Sequence, residues 1–158
     1  MRKLFADILH SRMAGNDKIF LITGDLGYGL FDRIRSDFPE RFINAGAAEQ
    51  AMMGVAVGLA MGGKIPFVYS ITPFLLWRAA ETTRNYIDHE HIPVKLVGSG
   101  RGEDYKHDGF SHFAGDDWDL MKNFTNIISW PQLRKENIEY AIDRMINEPV
   151  PFYINLKR

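Results

Sequence analysis

Six short apolar runs, separated by segments of helical spacing, constrain this chain more than any other feature. The runs are 18–23 (KIFLIT), 41–45 (RFINA), 64–70 (KIPFVYS), 93–98 (PVKLVG), 126–129 (NIIS) and 151–156 (PFYINL). None alternates cleanly between apolar and polar, so each reads as a strand buried on both faces, as in a parallel sheet. Between them, residues 4–13, 31–38, 48–62, 74–88 and 135–147 carry apolar side chains at helical spacing. Residues 99–117, rich in Gly, Asp and His, read as a polar loop. The expected architecture is one α/β domain over residues 1–158, with a mainly parallel sheet of about six strands and helices on both faces. A chain of 158 residues is long enough to bury one core.

The remaining composition excludes several classes of function. The formal net charge of −1 offers no basic footprint for nucleic acid or an anionic membrane. Cysteine is absent, which removes disulfides and thiolate metal sites. The opening residues MRKLFADILHSRMAG place Asp7 inside an apolar stretch with no small-residue cleavage site, so they read as an amphipathic helix rather than a leader. No apolar run reaches the roughly 18 residues that span a bilayer. The expectation is a cytoplasmic protein.

The helix expected at 48–62 has no charged or polar side chain from Ala51 onward. A helix apolar all round is expected to be buried all round. Gly54 and Gly58, and Ala56 and Ala60, are spaced to let other backbones approach on two faces, one of which fits a second protein surface. Glu49 stands in the first turn of this helix. The helix N-terminus favours its anion, by about 0.3–1 kcal/mol when exposed, whereas burial favours the neutral acid. In a dry site burial is expected to win, giving a carboxyl that shares or donates a proton. A carboxylate that merely complements the helix dipole is the plainer alternative.

The order of landmarks resembles the pyrimidine-binding domain of transketolase, a thiamine-diphosphate enzyme. The resemblance runs through TGDLGYG (23–29), PERFINAGAAEQAMMGVAVGLAMGG (39–63), PFVYSITPFLLWRAAETTRN (66–85), PVKLVGSGRG (93–102) and DGFSHFAGDDWDLM (108–121), essentially the whole chain. Related domains occur in deoxyxylulose-phosphate synthase and in pyruvate dehydrogenase beta subunits. The resemblance gives Glu49 the role of the glutamate that bonds the pyrimidine nitrogen and drives the ring to its imino form, which deprotonates the thiazolium carbon. Phe74 matches a phenylalanine that stacks on the aminopyrimidine, although a core aromatic is the simpler reading in a chain with 11 Phe. Ile71 stands where transketolases often carry another aromatic against the cofactor. Asp25 and Leu26 resemble residues that approach the cofactor across a subunit interface; a turn-capping Asp is the local alternative. His112 matches a histidine that meets the substrate's hydroxyls or moves protons. Phe110 and Phe113 replace the usual proline and glutamine, which makes the expected substrate pocket more apolar. Tyr69 and Trp77 read as packing residues.

Other motifs lead nowhere specific. GSGRG (98–102) lacks the full dinucleotide fingerprint, and the histidines at 89, 91, 107 and 112 have no metal-binding helical spacing. The Gly-Asp-Gly signature that marks the family's diphosphate and magnesium site is absent, as is the third domain of full transketolases. The resemblance therefore implies a stand-alone subunit of a split enzyme: a separate diphosphate-binding chain would supply the Mg2+ site in a heterotetramer or other heteromer, with ketol transfer between sugars or sugar phosphates. A two-component 2-oxo acid decarboxylase and a non-catalytic scaffolding subunit are the alternatives.

Overall fold

The six apolar runs become parallel strands: four bury both faces between helices, whereas those expected at 41–45 and 126–129 become short, partly exposed edge strands, because an edge has a neighbour on one side only. The computed structural model describes every residue from Met1 to Arg158. Its strands are β1 (Ile19–Thr23), β2 (Phe42–Asn44), β3 (Ile65–Ile71), β4 (Lys95–Ser99), β5 (Ile128–Trp130) and β6 (Phe152–Leu156), in the order β2-β1-β3-β4-β6-β5. The helices are α1 (Arg2–Gly15), α2 (Asp32–Asp37), α3 (Glu49–Met61), α4 (Thr72–Trp77), α5 (Ala80–Thr82), α6 (Asp117–Met121) and α7 (Ile138–Asn147).

Alternate strand residues feed two cores. Leu21, Phe67, Tyr69, Val97 and Ile154 pack with Phe5 and Leu9 of α1, Ile34 of α2 and Ile142 of α7. Ile22, Val68, Leu96 and Tyr153 pack with Met52, Met53 and Ala56 of α3 and Leu75 and Leu76 of α4. Right-handed crossovers explain the division, since a step toward β2 and a step away from it put their helices on opposite faces. The connection after β1 lies on one face and the connection after β3 on the other, so a crevice opens at the carboxyl ends of these adjacent strands, where α/β sheets bind ligands.

Tertiary contacts redraw several expected elements. The helix expected at 74–88 starts earlier, with Pro73 in its first turn, where a missing N–H costs nothing. It breaks at Arg78–Ala79, resumes as α5, and continues as a π-helical stretch from Thr83 to Asp88. The strand expected at 93–98 begins at Lys95, beyond Pro93, which has no N–H for a ladder. Asn126 is lost from the strand expected at 126–129; its backbone N–H instead donates to Asp88 Oδ1 at 2.8 Å. The loop expected at 99–117 is tied by an antiparallel bridge between Gly102 and Ala114 and runs into α6, which local spacing did not indicate. No helix is long and apolar enough to cross a membrane.

Lys95 is the costly residue of this core. It is buried, and its Nζ donates to the backbone carbonyls of Glu148 at 2.9 Å and Val150 at 2.5 Å. Burial lowers its pKa from 10.5 to about 7, with nearby Glu148 opposing the shift. Between those values the unfolded chain binds more protons than the folded one, so stability rises with pH across the window and is insensitive to this group below it. Urea unfolding from pH 7 to about 9.5, short of the range where buried tyrosines titrate, is expected to show a gain on the order of a few kcal/mol. In Lys95→Met that slope should flatten; an equal slope in both proteins would show that Lys95 is not its source.

Candidate active site

The loop after β2 delivers Glu49 to the crevice. Ala45 N–H donates to the Thr23 carbonyl, and Asn44 Oδ1 accepts from the N–H groups of Asp25 (2.9 Å) and Gly46 (3.0 Å), which joins the β1 and β2 ends. Gly46 adopts φ 71°, and α3 starts three residues later at Glu49. Gly24 packs against this turn: a Cβ there would meet Gly46 O at 3.4 Å, Met52 Sδ at 3.5 Å and Glu49 Cγ at 3.8 Å, all ordinary contact distances. Glu49 is only 4% exposed. Gln50 Nε2, bonded to Thr82 Oγ1 at 2.6 Å, ties the start of α3 to α5.

Glu49 is buried as expected, but it is not alone. Arg78 Nη1 donates to both of its carboxylate oxygens at 2.9 Å. This cation, from the break between α4 and α5, is a partner that the weighing of helix terminus against burial did not include. The same guanidinium lies over Phe74, with Cζ 3.8 Å from the ring centroid. His112 meets the Phe74 ring edge-on, with centroids 4.8 Å apart. Its Nδ1 lies 3.0 Å from Ser111 Oγ, and its Nε2 has no partner within the chain. Glu49, Arg78, Phe74 and His112 thus form one continuous cluster.

The remaining candidates lie elsewhere around the crevice. Leu26 and Ile71 line a neighbouring cavity of about 470 Å³ with Arg2, Tyr28 and Tyr105. Asp25 is exposed, adopts φ 55° and accepts a hydrogen bond from Tyr28 Oη. Tyr69 packs in the core as expected and bonds Ser99 Oγ at 3.0 Å. Trp77 does not pack: it is 51% exposed. With Phe74, Arg78, Phe110, Phe113 and Asp116 it lines a pocket of about 240 Å³ beside the cluster. Phe110, 86% exposed, stacks on Phe113.

The far end of the histidine loop is anchored in the sheet. Asp117 Oδ2 accepts from Tyr153 Oη and Asn155 Nδ2, both at 2.8 Å. Burial, then the adjacent Asp117 carboxylate, pushes the Tyr153 phenol pKa up, so the phenol stays a proton donor. No three His, Cys, Asp or Glu side chains stand close enough to hold a metal ion.

The sequence matches the family model of the transketolase pyrimidine-binding domain over residues 1–158. The chain belongs to this family. It is 36% identical over 120 residues to an apulose-4-phosphate transketolase subunit of Actinobacillus succinogenes, covering 76% of this chain and 39% of that protein. It is 30% identical over 159 residues to the 6-deoxy-6-sulfo-D-fructose transketolase subunit SqwH of Clostridium sp., covering 100% of this chain and 49% of that protein. A solved split-gene transketolase, described as an inactive beta4 tetramer, superposes with a TM-score of 0.85 at 32% identity, over 99% of this chain and 51% of that one. The Campylobacter jejuni transketolase shares the fold, with a TM-score of 0.87 at 18% identity over 99% of this chain and 25% of that one. The pyrimidine-domain chain thus spans about half or less of these relatives' length.

Membership in this transketolase family implies use of thiamine diphosphate, and the Glu49–Phe74 pair fits that cofactor's pyrimidine. A flat, amidine-like cation, the Arg78 guanidinium, already bonds the carboxylate and stacks on the aromatic ring. An aminopyrimidine protonated on its ring nitrogen offers the same two features. Sequence reasoning missed Arg78, although its spacing of four residues from Phe74 within an expected helix was the available signal.

Proposed function

We propose that this chain provides the pyrimidine-binding half of a thiamine-diphosphate active site that transfers a two-carbon ketol unit between sugars or sugar phosphates. The observation that carries this reading is the meeting of buried Glu49 and the Phe74 ring around one flat cation. Glu49 would hold a hydrogen bond to the ring nitrogen opposite the amino group, and Phe74 would orient the ring through its face. Bound there, the cofactor supplies a carbon nucleophile and an electron sink. His112, with Nε2 free at the edge of Phe74, would bond or deprotonate a substrate hydroxyl. Leu26 and Ile71 would flank the cofactor from the neighbouring cavity, and the exposed Asp25 would approach it across the subunit interface.

The diphosphate and Mg2+ would be held by a partner protein, in a cytoplasmic heteromer such as a heterotetramer. The open face of α3 supports such a partner. Met52, Met53, Ala56 and Ala60 are buried, whereas Ala51, Gly54, Val55, Gly58 and Met61 face outward, Met61 being 74% exposed. Burial all round is thus not reached within the chain and would be completed by a second protein.

The test combines the protein with a diphosphate-binding transketolase-like chain, thiamine diphosphate and Mg2+, and follows ketol transfer from ketose phosphates, with 2-oxo acids run in parallel. Ketol transfer that appears only with both chains is expected, and His112→Ala should lower kcat roughly 10²-fold. Turnover of 2-oxo acids alone would replace this reading with the decarboxylase one. A complex that turns over neither substrate class would point to a scaffolding role.

A further inference from the structure

Arg78 makes, with one group, both contacts expected of the pyrimidine. Its Nη1 bonds each oxygen of Glu49 at 2.9 Å, and its Cζ lies 3.8 Å from the Phe74 ring centroid. The latter distance is ordinary face-to-face contact, so no second flat group fits between them. We propose that Arg78 is a resident occupant of the pyrimidine seat, which a flat, amidine-like heterocycle enters only by displacing it. The inference rests on Glu49 and Phe74 forming that seat.

Three features make Arg78 displaceable. Its side chain is 47% exposed, so water receives the released guanidinium readily. It sits at the break between α4 and α5, with no hydrogen-bond partner other than Glu49. The pocket of about 240 Å³ beside it contains Asp116, a carboxylate able to receive the cation. Glu49 differs in that it cannot leave, and a buried carboxylate without a partner is strongly unfavourable. Exchanging the arginine for a ligand that carries a proton on the ring nitrogen facing Glu49, as an aminopyrimidinium does, keeps the acid paired and the charge balanced at both stages. The exchange also sets specificity. A ligand must take up a proton at the ring nitrogen that donates to Glu49 and present a flat face to Phe74, whereas an aromatic ring without a basic nitrogen leaves Arg78 in place. Competition from Arg78 lowers the apparent affinity of the correct ligand by the fraction of chains in which the seat is closed.

The experiment titrates the full protein with 4-amino-5-hydroxymethyl-2-methylpyrimidine, reading affinity by calorimetry and Arg78 by side-chain NMR. In the wild type, Arg78 resonances are expected to carry an upfield ring-current shift from Phe74 and to lose it as the ligand saturates. Arg78→Met is expected to bind the ring about tenfold more tightly, and benzyl alcohol should leave the Arg78 signals unmoved. An Arg78 signal unchanged at saturation, or equal or weaker binding by Arg78→Met, overturns the displacement while leaving the seat intact. No binding by either folded protein overturns the seat and this inference together. If Arg78→Met does not fold, the wild-type NMR titration decides alone.

Discussion

Glu49→Gln is expected to reduce ketol transfer in the assembled enzyme roughly 10³-fold, as for loss of a proton-handling group, while altering the chain's stability by no more than about 1 kcal/mol. The small second effect follows from the surroundings. The carboxylate is buried and the Arg78 side chain half exposed, so amidation removes an ion pair and the cost of burying a charge together. Gln keeps an acceptor for Arg78 but cannot give up and regain a proton at the same atom. Stopped-flow or steady-state assays on the complex, paired with urea unfolding of the isolated protein, separate the two effects. Activity within a factor of ten of wild type would remove Glu49 from proton handling. Equal losses of activity and stability would reduce it to a packing group.

Gly98→Val is expected to destabilise the protein by about 3 kcal/mol through overpacking and a lost hydrogen bond. Gly98 is in β4, beside Ser70 of β3 and Asn155 of β6. A Cβ there would stand 2.6 Å from Thr72 Oγ1 and 3.3 Å from Tyr153 Oη. Thr72 has no room to yield, because it opens α4 and its Oγ1 donates to the Gly100 carbonyl at 2.7 Å. Tyr153 is held by Asp117. The displaced groups lead directly to Phe74 and to the loop bearing His112, so pyrimidine affinity should fall as well. Urea unfolding measures the first effect. A Gly98→Ala/Thr72→Ala pair should recover part of the Gly98→Ala loss, since contacting residues are not additive. A Gly98→Val protein as stable as wild type would show that the sheet end is loosely packed.

The α/β class was legible because strand and helix periods are local properties of the chain. Glu49, Phe74 and His112 were singled out through their motifs, and the structure gathers these three into one cluster with Arg78. Asp25, Leu26 and Ile71 were singled out in the same way, but Leu26 and Ile71 line an adjoining cavity and Asp25 is exposed next to Leu26. Strand order was not legible, since β2 and β5 reach the sheet edges through crossovers whose direction no local pattern encodes. Nor was the exposure of Trp77, or the open half of an apolar helix, because what covers a side chain depends on distant segments.

The amino-acid sequence by itself determined a parallel α/β domain with an acid at the mouth of an apolar helix, since periodicity and the order of motifs are carried within short windows. Only the tertiary structure decided that this acid is paired. Arg78 reaches Glu49 because the expected helix breaks behind it and α5 is tied to α3 through Thr82 and Gln50. The partner of a buried charge is set by where the chain folds back in space, and 29 residues separate these two along the chain.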